Sequence, residues 1–410
     1  MTRQTDNKLL SGIRVLDFTT FLSGPFATQT LGDLGAEVIK IETLEGDGTR
    51  HIPPHFVGSD SMYYMSTNRN KKSIAVDLKS EDGKKIVHEW VKRCDIVIEN
   101  FRPGVTNRLE VDYPRLRELK PDIIYCSITG FGQDGPYHKR PAYDMIVQAL
   151  SGSMSLTGEK DGDPVRLGVP LGDLAAGLYA VIGVLAALQH RQRTGQGTYL
   201  DISMLDCQLP LLSYLGVYYL HSGIVPGPQG REHESIPTYR AFKSREGDYV
   251  LITANTQKMF EGVCRAVERE DLIGDERFLT GELRHRHKDE LVCILNEAFS
   301  RFDSKVLLER LEANEVPCAP LQNLRQAFED PQVQHRKMIL KLDHPASDNL
   351  RLIGNPIKYE GENEYSHVRP PLLGEHTESL LKEIGLSKEE IRRLAESGVV
   401  KLHQAAAGRA

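Results

Sequence analysis

GIRVLDFTTFLSGPFATQTLGDLGAEVIKIE, Gly12–Glu42, decides the fold class. A near-continuous apolar run, Ile13–Phe18, is followed by helical spacing over Pro25–Leu34 and by a second apolar run, Ala36–Ile41. Strands that are apolar without alternation belong in a parallel sheet covered on both faces, and a helix between two of them makes a βαβ unit. The same rhythm continues outward through Ser73–Leu78, Asp95–Glu99 and Asp122–Ile128. The expectation is an α/β fold around a parallel sheet.

Farther along, Asp173 to about Arg193 spells a long helix that is apolar almost all round, which places it between layers, and TGQG at Thr194–Gly197 stops it. After Gly223 the composition changes. A Gly/Pro-rich connector, GIVPGPQG, leads to a hairpin-like stretch, RAFKSREGDYVLITA, and to short amphipathic helices through Pro331. LRLIGNPIKY then returns to strand character, and Thr377–Ser397 reads as charged helices that pack back on the first domain. The division is a large α/β domain over 1–223, a smaller α+β domain over 224–333, and a segment over 334–410 returning to the large domain.

A net charge of −6 with 26% charged residues argues against a partner such as nucleic acid or an anionic membrane. The start, MTRQTDNKLL, lacks the apolar core of a secretory signal, and the most apolar stretch, Leu174–Leu188, falls short of the roughly 20 residues a membrane span needs. Six cysteines without a CxxC pair suit free thiols in a reducing, cytoplasmic compartment. No metal site is expected: the His285–His287 run sits among charges and suits a solvated helix face.

Several short motifs carry chemistry. GFGQDG, Gly130–Gly135, fits the dinucleotide pattern GxGxxG after a strand, yet PYHKRP follows it where a helix should open, so a loop is favoured. In the first βαβ unit Glu42 sits where a ribose-binding acid would, but the turn FLSGPF has too few glycines. SGP, Ser23–Pro25, opens a helix beside a strand end, either as an ordinary turn or as a set of free N–H donors for phosphate or a carbonyl oxygen. ENFRPG, Glu99–Gly104, lies at a strand's carboxyl end, where Asn100 suits an amide or adenine contact and Phe101 suits a ring, or where both simply form a capped turn. LGDLAAG puts the Asp173 carboxylate at a helix opening, as a helix cap, as a nucleophile toward a thioester, or as both. There is no GxSxG elbow, HExxH or P-loop.

In order, these segments resemble class III CoA-transferases, the formyl-CoA and carnitine CoA-transferase type related to 2-methylacyl-CoA racemases. The resemblance also takes in GDGTR, NRNKKSIAVDLK, YDMIVQALSG, TGQGTYLDISMLD and PPLLGEHT, and runs from about Gly12 to Val400. It implies a large Rossmann-like domain with a small domain, ring-like subunits interlocked in a homodimer, and Asp173 as catalytic nucleophile. Coenzyme A would lie along Leu22 and Ser23, along Val76, Asp77, Leu78 and Lys79, and along Asn100, Phe101, Arg102 and Arg108. Lys79 and Arg108 would meet its phosphates. CoA and its acyl thioesters are then substrates, with no tightly bound cofactor, and a small carboxylic acid is the other partner.

The chain departs from the formyl-CoA branch at Leu22 and Thr43, and it lacks that branch's glycine-rich lid near TANTQK, which speaks against oxalate or formate. Tyr143 stands where the racemases have a histidine, and with Asp144 it would border the acyl pocket. The implied activity is CoA transfer from an acyl-CoA donor, succinyl-CoA being the candidate, through aspartyl anhydride and aspartyl-CoA thioester intermediates. REHESIPTYR, Arg231–Arg240, is the candidate source of a cation for a dicarboxylate. The alternatives are a racemase-like enzyme, an NAD-dependent oxidoreductase and a non-catalytic CoA-binding protein.

Overall fold

The computed structural model describes residues 8–360 and 367–403. Most of the amino-terminal stretch read for a targeting signal therefore lies outside the described residues. The chain forms two compact units. The larger takes residues up to Ser153, Arg166–Ile224 and the chain from His335 on.

Its core is a seven-stranded sheet. Strands β1 (Arg14–Asp17), β2 (Glu37–Glu42), β3 (Lys71–Val76), β4 (Ile96–Glu99), β5 (Ile124–Thr129), β6 (Thr198–Ser203) and β7 (Val400–Lys401) lie in the order β7-β3-β2-β1-β4-β5-β6. All neighbours run parallel except β7, which pairs antiparallel with β3. The apolar runs explain the arrangement, because alternate residues feed two separate cores. Val15, Val38, Ile96 and Ile124 face helices α1 (Ser23–Asp33) and α4 (Leu171–Thr194). Leu16, Ile39, Val97 and Tyr125 face α2 (Glu81–Val91) and the tail helices α6 (Thr377–Glu383) and α7 (Lys388–Glu396). The tail helices contribute Leu380, Leu381, Ile391 and Leu394 to this core. Strand order reverses at β1, so a crevice opens between the carboxyl ends of β1 and β4, the place where open α/β sheets bind ligands.

Helix α4 departs from its expected burial. Ala175, Ala176, Ala180 and Val184 are buried against α1 and the sheet, whereas Leu178, Ile182 and Leu185 on the opposite face are exposed. Its 24 residues are long and apolar enough to cross a membrane by length and composition, unlike the shorter stretch read from sequence. With a small-residue face packed into the core, it is a sheet-covering helix whose outer face one chain leaves bare.

The smaller unit comprises Met154–Val165 and Val225–Gln334. Tyr239–Lys243, Tyr249–Thr253 and Cys318–Pro320 form an antiparallel sheet, and Phe242 stacks on Phe299 at 4.3 Å in a core of helical Phe and Leu residues. The excursion Met154–Val165, counted with the large domain in the sequence division, belongs here because Gln229 and Gly230 donate backbone hydrogen bonds to the Leu156 and Gly158 carbonyls (3.0 and 2.9 Å). The His285–His287 run lies at the end of the short helix Gly281–Arg286, with His287 Nδ1 3.1 Å from Glu290.

Candidate active site

The loop Phe18–Leu22, between β1 and α1, is fixed by charges that the strands carry into the interior. Lys40 Nζ donates to the Thr19 carbonyl (2.6 Å) and pairs with Asp47 (3.0 Å). Lys71 Nζ pairs with Asp17 (3.0 Å) and donates to the Pro25 carbonyl (3.1 Å), while Asp17 accepts from the Thr19 N–H and the Thr28 hydroxyl. Burial pushes the Lys71 ammonium down to about 8. Burial would also raise the Asp17 carboxyl, but Lys71 and Lys40 outweigh it and hold it low. Buried ion pairs add little net stability, so this network is better understood as a geometric restraint on the loop. It keeps Phe21 at φ 65°, a left-handed conformation that bulky residues avoid and that concentrates at functional sites.

Asn100 completes the restraint. Its Oδ1 accepts the Thr20 N–H (2.9 Å) and its Nδ2 donates to the Thr20 carbonyl (2.8 Å). The amide that sequence reading offered to adenine or pantetheine thus clamps the β1–α1 loop. Glu42 is likewise committed: it accepts two hydrogen bonds from Arg50 (2.8 and 2.7 Å) and one from Ser73. It is not a free ribose acceptor. No helix opens after GFGQDG until α3 (Asp144–Ser151), so neither dinucleotide option has its geometry.

Asp173 stands in the first turn of α4, beside the first turn of α1. Burial pushes its carboxyl up to about 7, the Asp144 charge adds to the rise, and hydrogen bonds from the Ser23 hydroxyl and backbone oppose it. Desolvation therefore overrides the favourable field of the helix terminus. Asp173 does not cap its helix. That work falls to Asp144, whose Oδ1 accepts the Gly172 N–H (2.8 Å) while Oδ2 is held by Gln148 (2.7 Å). One turn on, Gly177 permits the close approach of α1: a Cβ there would lie 2.8 Å from the Ser23 carbonyl oxygen.

Two cavities adjoin at the crevice. One, of about 300 Å³, is lined by Asp173, Ser23, Asn100, Arg102, Tyr143 and Arg140 among others. Tyr143 meets Phe21 edge-on at 5.7 Å. The other, of about 360 Å³, is lined by Val76, Asp77, Leu78 and Lys79. Thr20 and Phe101 line both, so the two cavities meet at these residues between the end of β3 and Asp173. Leu22, Arg108 and Asp144 line neither: Leu22 is half-buried, Arg108 is exposed on the helix Val105–Leu109, and Asp144 faces Gly172. Sequence reading missed Tyr63, whose phenol is raised by burial and by the Asp173 charge; nothing in SMYYMST distinguishes it from its neighbour Tyr64. Among the described residues no group of His, Cys, Asp and Glu could hold a metal. Arg231 and Arg240 are engaged by Glu159 and Glu232 (both 2.8 Å), so REHESIPTYR presents no free arginine.

Residues 10–377 match the family description CoA-transferase family III. The chain belongs to that family. As a family III CoA-transferase it moves CoA between acids, one acting as thioester donor and one as acceptor. It is 40% identical over 399 residues to the human succinyl-CoA:glutarate CoA-transferase, covering 97% of this chain and 91% of that one. It is 37% identical to the succinyl-CoA:mesaconate CoA-transferase of Haloarcula marismortui, over 92% of this chain and 96% of the other. Among solved structures, a CAIB/BAIF family protein from Brucella suis superposes with a TM-score of 0.82 at 35% identity, covering 92% of this chain and 100% of that one.

Proposed function

We propose that this CoA-transferase exchanges CoA between dicarboxylic acids, with succinyl-CoA as a donor, through covalent intermediates on Asp173. The observation that carries the reading is the setting of that carboxyl. It is desolvated and hydrogen-bonded to Ser23, and it lines the cavity that shares Thr20 and Phe101 with the one at the end of β3. The similarity to succinyl-CoA-dependent enzymes for glutarate and mesaconate supports the substrate class.

An Asp173 oxygen attacks the thioester carbonyl, the C–S bond breaks, and CoA leaves as thiolate with a mixed anhydride left on the enzyme. The thiolate then attacks the Asp173 acyl carbon, releasing the first acid as carboxylate and forming an aspartyl-CoA thioester. The acceptor carboxylate reverses these steps. One thioester replaces another, so no external energy source is needed. The protein's tasks are to exclude water and to present N–H donors to the developing oxyanions; the first turn of α1, beside Asp173, is the proposed source of those donors. CoA would run from Val76–Lys79 past Thr20 and Phe101, with Lys79 meeting phosphate.

The test is direct. Enzyme quenched in turnover with succinyl-CoA and digested should carry an adduct, sensitive to hydroxylamine, on the peptide spanning residues 171–177, and Asp173→Ala should carry none. A modified peptide elsewhere, or exchange surviving in Asp173→Ala, overturns the reading.

A further inference from the structure

The loop Gly130–Arg140 leaves the carboxyl end of β5 and supplies Gly130, His138 and Arg140 to the wall of the Asp173 cavity. It is tied to the neighbouring strand ends and to itself. Gly132 N–H donates to Thr129 Oγ1 (2.9 Å), Gln133 N–H to the Asp201 carboxylate (2.9 Å), and Arg140 N–H to the Tyr137 carbonyl (2.8 Å). Phe131 meets Tyr137 edge-on at 5.6 Å, and the Arg140 guanidinium lies 4.3 Å over the Tyr137 ring. The aromatic stack holds the guanidinium in place before any ligand arrives, and a planar guanidinium is the group best shaped to grip a carboxylate with two parallel hydrogen bonds.

Arg140 makes no ion pair among the described residues, and Asp173 is the one carboxylate in the cavity lining, against Arg102 and Arg140. The cavity thus has more positive charge than its nucleophile neutralises. Arg102 and Arg140 both line the Asp173 cavity and not the other; Arg102 follows Phe101, which lines both, on the side of the CoA passage, whereas Arg140 comes from the loop after β5.

We propose that Arg140 is a specificity-determining residue that binds the distal carboxylate of the acid whose other carboxylate reacts at Asp173. This rests on the reading of CoA exchange at Asp173 given above. It gives the glycine-rich loop, which resembles a dinucleotide fingerprint without its helix, a carboxylate-binding task.

The experiment compares glutarate with pentanoate, an acid of equal length lacking the second carboxylate, as acceptors with succinyl-CoA as donor. In a double-displacement reaction kcat/KM for the acceptor reports the second half-reaction alone, so any effect on the donor cancels in the ratio. Arg140→Met should lower the glutarate-to-pentanoate ratio by about 10- to 100-fold, the worth of a charge-assisted pair. Its kcat/KM for pentanoate should change by less than about threefold. Arg140→Lys, which keeps the charge without the fork, should recover part of the ratio. An unchanged ratio in a folded Arg140→Met, or equal losses for both acceptors, overturns the role of Arg140 while leaving the dicarboxylate reading intact. A wild-type enzyme that prefers pentanoate overturns both.

Discussion

Burial pushes the carboxyl of Asp173, the proposed nucleophile, up to about 7, and that has consequences for rate and for stability. Attack requires the carboxylate, so turnover should fall as pH drops through about 7, the position to which burial pushes this group. Asp144→Asn keeps an oxygen for the Gly172 N–H and removes the neighbouring charge, so the acidic limb of the pH–rate profile should move to lower pH. A limb that stays in place would mean that burial alone sets it. Stability has the opposite sign. A carboxyl whose folded value, about 7, lies above its ordinary 3.8 costs the fold nothing below pH 4, and its cost grows until the folded group has ionised. Asp173→Asn should therefore abolish turnover yet raise Tm at pH 8, by up to a few kcal/mol in stability, with the gain vanishing toward pH 4. Thermal melts at the two pH values check this, and an equal shift at both would refute it.

Helix α4 delivers Asp173 to its partner only because α1 can approach closely. At Gly177 a Cβ would stand 2.8 Å from the Ser23 carbonyl oxygen and 2.9 Å from the Phe26 ring. Alanine gains about 1 kcal/mol in helix propensity, but overpacking a rigid backbone contact costs about 1–3 kcal/mol, so packing should win. Gly177→Ala should lower stability in urea modestly and kcat by about tenfold or more, because displacing α1 pulls Ser23 from Asp173. A variant of normal kcat would show that the helices slide apart at no functional loss. This spacing was legible only in part. LGDLAAG marked Asp173 in the sequence, and the apolar runs predicted every parallel strand but β6. The capping role assigned to Asp173 belongs to Asp144, which arrives from a separate helix 29 residues earlier in the numbering. Asn100 clamps Thr20 in the loop after the neighbouring strand, Lys71 finds Asp17 across the sheet, and Lys40 folds back on Asp47 in the loop after its own strand. Periodicity records which face a residue takes; it does not record which distant partner it will meet.

At the scale of the chain, Met154–Val165 belongs to the smaller unit through bonds to Gln229 and Gly230 that no local pattern announces. The uncovered face of α4 is the more informative departure. A helix apolar almost all round is expected to lie between layers, yet Ile182 remains 60% exposed, and Leu220 of α5 (Ser213–Ser222) 81% exposed. Scattered exposed leucines need no explanation, but neighbouring apolar positions along the outer faces of two helices are what association surfaces leave bare in a single chain. If a second copy covers them, the wild-type chain should run at twice its mass in light scattering at micromolar concentration. Ile182→Glu with Leu220→Glu places charges on both faces without touching Asp173, Ser23 or the core face of α4. The double variant should run as a monomer, since burying an unpaired charge costs several kcal/mol. An unchanged mass for the double variant would place the association surface elsewhere, and a monomeric wild type would leave the homodimer expectation without support.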